Sequence, residues 1–260
     1  MSKQDLVAAF NMPPEAAVAF LASKGLVVTE SWRELWKAAH ARAFTVARSA
    51  GYDVVADIKD ALLYSLNNGT SYKDFAKNLT PILQSKGWWG KAIDKNTGEI
   101  KTYEGTDTPV QLGSPRRLRL IYEQNLQTAF MAGRQREMLK ATGSHPYWQY
   151  VAVMDARTRP SHGVMNGRVF SYDDDVWSVA YPPNGWRCRC RVRPISKFRF
   201  ADEGMKLETA KGYISDIQIK RKDGGFDTLK TINLPNMPKT FKPDVGWDYN
   251  PAGDYYKQVA

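Results

Sequence analysis

Apolar positions recur at helical spacing through roughly the first third of the chain and shift toward alternation after Gly143, so the sequence reads as helices first and short strands later. Pro13 and Pro14 can open a first helix through EAAVAFLASK that stops at Gly25. Thr29 or Ser31 can cap a second, ESWRELWKAAHARAFTVARSA, with Trp32, Leu35, Trp36, Ala39 and Ala43 as its apolar stripe and Gly51 as its end. A third is expected from about Asp53 to Leu66, stopped by Asn67-Asn68-Gly69. A fourth, from Ser71 to Ser85, carries Tyr72, Phe75, Leu79 and Leu83 on one side.

Between Trp88 and Leu112 both periods fail, and the Gly, Thr, Asp and Lys content with Lys95-Asn96-Thr97-Gly98 predicts a loop or flexible hairpin. Ser114-Pro115 then starts a long helix, PRRLRLIYEQNLQTAFMAGRQREMLKA. Leu118, Ile121, Tyr122, Asn125, Thr128, Ala129, Ala132 and Gly133 share its broad face, and Asn125 is expected to bond a neighbouring loop. Trp148–Val153 is the best strand candidate, followed by Gly167–Phe170, Cys188–Val192 and a hairpin of Ile214–Ile219 with Phe226–Leu229. Asp173-Asp174-Asp175 suits a helix or turn start, and the prolines beyond Leu234 predict an extended strap. The fold class is therefore α+β: a helical region over 1–112, a small mixed domain over 113–200, and a hairpin with a Pro-rich tail over 201–260.

Composition narrows the function classes. An apolar fraction of 43% with eight Trp among 260 residues is that of a folded protein. MSKQDLVAAF offers no signal peptide and no run is long enough to span a bilayer, so synthesis in the cytoplasm is expected, with no membrane partner. Cys188 and Cys190, one residue apart, do not read as a disulfide framework. The net charge of +10 is concentrated: residues 113–200 hold 15 basic against 6 acidic side chains, nearly all the bases being arginine. Arginine suits phosphate and carboxylate partners.

Two strings carry a family resemblance, the second far more specific than the first, which is a common kind of helix. GSPRRLRLIYEQNLQTAFMAGR and MDARTRPSHGVMNGRVF…DDDVWSVAYPPNGWRCRCRV resemble the phage Mu F-like minor head proteins, with weaker likeness in ESWRELWKAAHARAFTVAR and GWDYNPAG. The resemblance implies a minor head-morphogenesis protein of a tailed phage or prophage, made in the host cytoplasm and carried in the virion head near the portal. Its implied partners are the portal and other head proteins, with DNA as a second contact, no small-molecule substrate and no enzymatic activity. The chain ends nine residues after Pro251, so no appended enzymatic domain is expected.

His162, Cys188 and Cys190 are the candidate metal ligands, since imidazole and thiolates hold tetrahedral zinc. In many relatives the pattern is C-x-x-C early and H-x-x-C-R-C late. Here Arg159 and His162 stand at the early cysteines and Gly185 at the late histidine, leaving three ligands, with Asp155, His145 or water open as a fourth. No cofactor is required by the alternative, in which Asp155 pairs with Arg157 and Arg159, and Trp186 gives apolar cover. A Cys-His pair also evokes nucleophilic chemistry, although the chain has only three histidines for acid-base work. Arg187, Arg189, Arg191 and Arg193 would share one face of an alternating strand opposite Cys188, Cys190 and Val192. With Arg116, Arg117 and Arg119 they are the candidate contacts to DNA or an acidic protein surface; a DNA-binding or nuclease role using this basic centre and the His/Cys cluster is the competing function.

Overall fold

A computed structural model describes residues 14–253 except Ala38, Ala50 and Lys222; MSKQDLVAAF, where no signal peptide is expected, and Pro13 lie outside the described residues. The class is α+β, with helices dominating the first part of the chain. Two compact units form, one from residues up to Leu35 with Arg42–Leu126, the other from Trp36–Ala41 with Gln127 onward.

In the first unit, helix α1 (Glu15–Ala22) leads into strand β1 (Gly25–Leu26). The single long helix expected after Ser31 does not form. Ser31 does cap, with a reciprocal capping box to Glu34, but only a 3-10 turn over Trp32–Glu34 follows. Leu35 is extended and Lys37 takes a left-handed φ of 49°, which breaks helical propagation. The remaining segment gives a four-residue helix α2 (Ala39–Arg42) and strand β2 (Ala43–Phe44), which pairs in parallel with β1 and buries Phe44. Tertiary burial of Phe44 and Val46 overrides the helical stripe.

Helices α3 (Tyr52–Asn68) and α4 (Tyr72–Ser85) form as the sequence predicts. Gly69 closes α3 in the left-handed conformation, and Ser71 caps α4. Their stripes of Val55, Ile58, Leu62, Leu79 and Leu83 are fully buried. Residues 88–112 form a narrow antiparallel ribbon held by the bridges Lys91–Gln111, Ile93–Ile100 and Thr102–Pro109. At its base Trp88 is buried and donates Nε1–H to the carbonyl of Arg48 at 2.6 Å.

Helix α5 (Pro115–Lys140) supplies its first half to this unit and its second half to the other. Asn125 donates to the carbonyl of Ile121 one turn back, at 2.8 Å, so its partner is its own helix and not a loop. A small residue on a helix face can satisfy itself in this way wherever no outside acceptor is closer.

The second unit is built on strand β3 (Tyr147–Val151), flanked by β4 (Val169–Ser171) and β5 (Arg191–Ile195), both antiparallel to it. The two-residue β6 (Leu207–Glu208) adds in parallel to β4, giving the order β5-β3-β4-β6. Three short helices, α6 (Pro160–Gly163), α7 (Val176–Ala180) and α8 (Lys197–Asp202), lie between or after these strands. Trp148 sits among Trp177 and Tyr181 with ring centroids 5.6 and 6.1 Å away, and all three are buried. Asp174 starts α7 by accepting from the backbone N–H of Val176 at 2.9 Å and also accepts from Ala210 N–H.

A separate hairpin of β7 (Ile214–Lys220) and β8 (Phe226–Ile232) follows, turning where Asp223-Gly224-Gly225 predicts. The segment beyond it, expected to be an extended strap outside the core, runs through turns and bends instead, and its Phe241 bridges back to Ile232 and is completely buried. The strap is thus part of the core of this unit.

Candidate functional site

The strand expected at Cys188 begins only at Arg191. Arg187 adopts a φ of 58°, and the N–H of Cys188 bonds back to the carbonyl of Gly185 at 3.1 Å, closing a turn. A left-handed residue at Arg187 removes the period-two alternation upstream of β5. The arginines therefore do not line one strand face.

That turn has a use. It swings Cys188 and Cys190 inward toward His162 on α6, whose start is set by Arg159 at the cap position and Pro160 behind it. The candidate ligand atoms of His162, Cys188 and Cys190 all lie within 4.8 Å of one another, and all three residues are buried. His162 Nδ1 is 3.7 Å from Cys188 Sγ. Tyr150 on β3 shares a hydrogen bond with Cys190, and donates its hydroxyl to Oδ1 of Asn184 at 2.9 Å. Asn184, with no exposed surface, donates to the carbonyls of Val179 and Tyr181, so it ties α7 to the cysteine turn.

The electrostatics follow from these contacts. The hydrogen bond between the two thiols, then the neighbouring His162, hold the Cys188 thiol well below its ordinary range. The same hydrogen bond and burial push Cys190 up, so Cys190 keeps the proton and donates to Cys188. Burial, followed by the nearby sulfurs, raises the Tyr150 phenol well above its usual value. This is a proton-sharing cluster of limited reach, because its groups face each other and not an open cleft.

Its fit to zinc is incomplete. A structural zinc site takes four protein ligands, and among the described residues the group stops at three. Asp155 is held elsewhere: both of its oxygens accept from Arg189, at 2.8 and 2.5 Å, and this guanidinium keeps the carboxyl far below the usual carboxylate range. His145 bonds Ser144 Oγ at 2.8 Å. The side chains of Arg189 and Arg159 also lie within electrostatic reach of the thiols, an arrangement that favours a thiolate and opposes a dication.

The other predicted site residues are dispersed. Arg157 reaches Asp155 only at 3.7 Å, while Arg159 pairs instead with Asp244 of the strap at 2.6 Å. Trp186 is 39% exposed and stands edge-on to Trp247 at 5.1 Å. On α5, Arg116 is exposed, Arg119 lies over the Tyr72 ring at 4.3 Å, and Arg117 is drawn inward to the carbonyls of Ala47, Gln111 and Leu112. In the second unit Arg187 and Arg191 are exposed, whereas Arg193 donates to Gln149 Oε1 at 2.6 Å. Tyr150, Asn184, Asp244 and Trp247 are members of the site that the local sequence does not announce.

The order of these parts, from the arginine-rich turn before α6 to the Pro-Pro-Asn-Gly-Trp turn and its two cysteines, falls inside the region matched by the family described as Phage Mu protein F like protein, residues 56–193. The chain belongs to that family. It is 41% identical over 255 residues to "Putative capsid assembly protein F" of Escherichia phage Mu, an alignment covering 95% of this chain and 56% of the relative. It is 38% identical over 230 residues to "Mu-like prophage FluMu F protein" of Haemophilus influenzae, covering 86% of this chain and 52% of that one. The chain thus spans about half the length of these two relatives. No solved structure matches it. Among the described residues no helix is long and apolar enough to cross a membrane.

Proposed function

We propose that this chain is a head-morphogenesis component of a tailed phage or prophage, acting by docking to portal and other head proteins during prohead assembly and remaining in the head near the portal. Its likeness over 95% of its length to a protein named for capsid assembly is the observation that carries this reading. The geometry agrees in kind. His162, Cys188 and Cys190 are buried, with His162 facing Cys188 and Cys190 sharing hydrogen bonds with Cys188 and Tyr150. On this reading the protein is not an enzyme and takes no small-molecule substrate.

What the same segment offers to solvent is of a different kind. Met154 is 66% exposed and Trp186 39% exposed, close to the guanidinium groups of Arg157 and Arg187 in sequence. An aromatic anchor with arginines is the composition of protein-protein hot spots. Co-expression of the full chain with its portal tests the idea: the two should co-purify, and Trp186→Ala should weaken capture at least tenfold while leaving the chain folded. A complex unaffected by this substitution, or no complex with any head protein, would refute it.

DNA as a second contact is supported by the exposed Arg187 and Arg191 in a segment of net charge +9. A nuclease reading has less to stand on, since His162 and the cysteines are enclosed. Incubation of the protein with plasmid and divalent metal should leave the DNA intact.

A further inference from the structure

We propose that in this chain an ion pair, Arg159 with Asp244, has taken over the structural task of a metal at the His162/Cys188/Cys190 cluster, so that the knot closes metal-free. Where the resemblance implies two early cysteines and a late histidine the chain has Arg159, His162 and Gly185, so a ligand is lost at two positions, 159 and 185. Those two positions, 26 residues apart in sequence, meet at one carboxylate. Arg159 Nη2 donates to Asp244 Oδ2 at 2.6 Å and to the carbonyl of Trp186 at 3.0 Å. The same Asp244 oxygen accepts from Trp186 N–H at 3.2 Å, and the backbone N–H of Asp244 donates to the carbonyl of Asn184 at 2.9 Å.

Gly185 lies inside this clamp. A Cβ there would stand 2.2 Å from Asp244 Oδ2 and 2.5 Å from its Cγ. Gly185 is not among the residues of positive φ, so its backbone would accept any side chain; the glycine is required for space alone. A histidine at 185 and a carboxylate at 244 in this position exclude one another. The carboxylate fills the room a ligand would need, and the Arg159 guanidinium holds it there. Ser161 donating to the carbonyl of Lys242 and the packing of His162 on Phe241, with centroids 5.8 Å apart, fasten the same strap on the other side. His162 Nε2, buried and without a partner, is the single atom of the cluster that a metal would serve better, so the test reads metal directly.

The full chain is purified from cells grown with added zinc, and its metal content and melting are measured with and without chelator. The expected result is zinc far below one per chain and a melting temperature unmoved by chelator. Arg159→Met and Asp244→Ala should each lower melting by roughly 3–10 °C, and the double variant no further than the worse single one, because both remove the same pair. Gly185→Ala should lower melting in the natural background and be nearly silent beside Asp244→Ala. One equivalent of zinc with a chelator-dependent melt would overturn the proposal, as would a Gly185→Ala effect that persists without Asp244. Should the variants not fold, the metal content of the natural chain decides alone.

Discussion

The hydroxyl of Tyr150, in the middle of the central strand, donates to Oδ1 of Asn184 at 2.9 Å in a place with no solvent. This bond fixes the turn between α7 and the cysteines to the sheet, and it explains why Pro182-Pro183-Asn184-Gly185 is entirely buried although its composition is that of a surface turn. A turn can be buried only if its polar groups are answered inside, and the Asn184 side chain is answered three times, by Tyr150, Val179 and Tyr181.

Tyr150→Phe removes one donor and takes from the side-chain Oδ1 of Asn184 the hydrogen bond it accepts. The expected cost is about 1–3 kcal/mol in chemical denaturation of the full chain. A change below the error of the measurement would mean that the bond does not hold the turn.

Trp186 and Trp247 should be energetically coupled. Their edge-to-face contact at 5.1 Å joins the cysteine turn to the strap, and such pairs contribute about 0.5–1.5 kcal/mol beyond burial. A double-mutant cycle with Trp186→Ala and Trp247→Ala reads that energy. Additive losses would show the two rings to be independent.

The first unit should show a pH dependence whose sign follows from the burial of Lys24. Lys24 is buried against the Phe20 ring at 4.7 Å, and Lys59, which donates to the carbonyls of Ala22 and Lys24, adds a second cation. Burial first, and Lys59 next, lower the Lys24 amine from 10.5 to about 7. Between those values the unfolded chain holds a proton that the folded chain releases, so stability rises with pH across this window and, as pH falls, is lost down to about 7, below which both states are protonated. Hydrogen exchange of α1 should slow from neutral to mildly alkaline pH after correction for intrinsic rates, and Lys24→Met should flatten the profile. Faster exchange at the higher pH in the natural protein would reverse the sign.

If the basic centre touches DNA, the exposed Arg191 should matter and the paired Arg189 should not act in the same way. Arg191→Ala is expected to reduce the salt slope of binding by about one unit without altering the fold. Arg189→Ala frees Asp155, whose two oxygens it holds, and should show first as altered protection of the Asp155–Thr158 turn. Fluorescence anisotropy over a salt series separates the two; binding that ignores salt would point to another kind of contact.

Much of this was legible in the residues because the deciding signals were local. Ser71 and Gly69 bound helices by capping chemistry, and Asp223-Gly224-Gly225 turns a hairpin by backbone freedom, none of which needs a distant partner. The failures share a different cause. The helix expected after Ser31 lost to the burial of Phe44 beside β1, and the alternating arginine strand lost to the left-handed Arg187 that the cluster requires. His162, Cys188 and Cys190 were visible as a set, yet the partner of Arg159 was not, because Asp244 lies 85 residues away in a proline-rich strap with no periodic pattern. Only the folded chain brings that carboxylate to the space above Gly185.

Particle assembly is the most direct measurement of the central claim. Heads are counted and imaged by electron microscopy in cells that carry the gene for this chain with its neighbouring head genes and in cells from which that one gene is removed. Docking in head morphogenesis predicts few or misshapen heads without the chain and their restoration when it is supplied in trans. Heads normal in number, shape and infectivity in its absence would contradict the account.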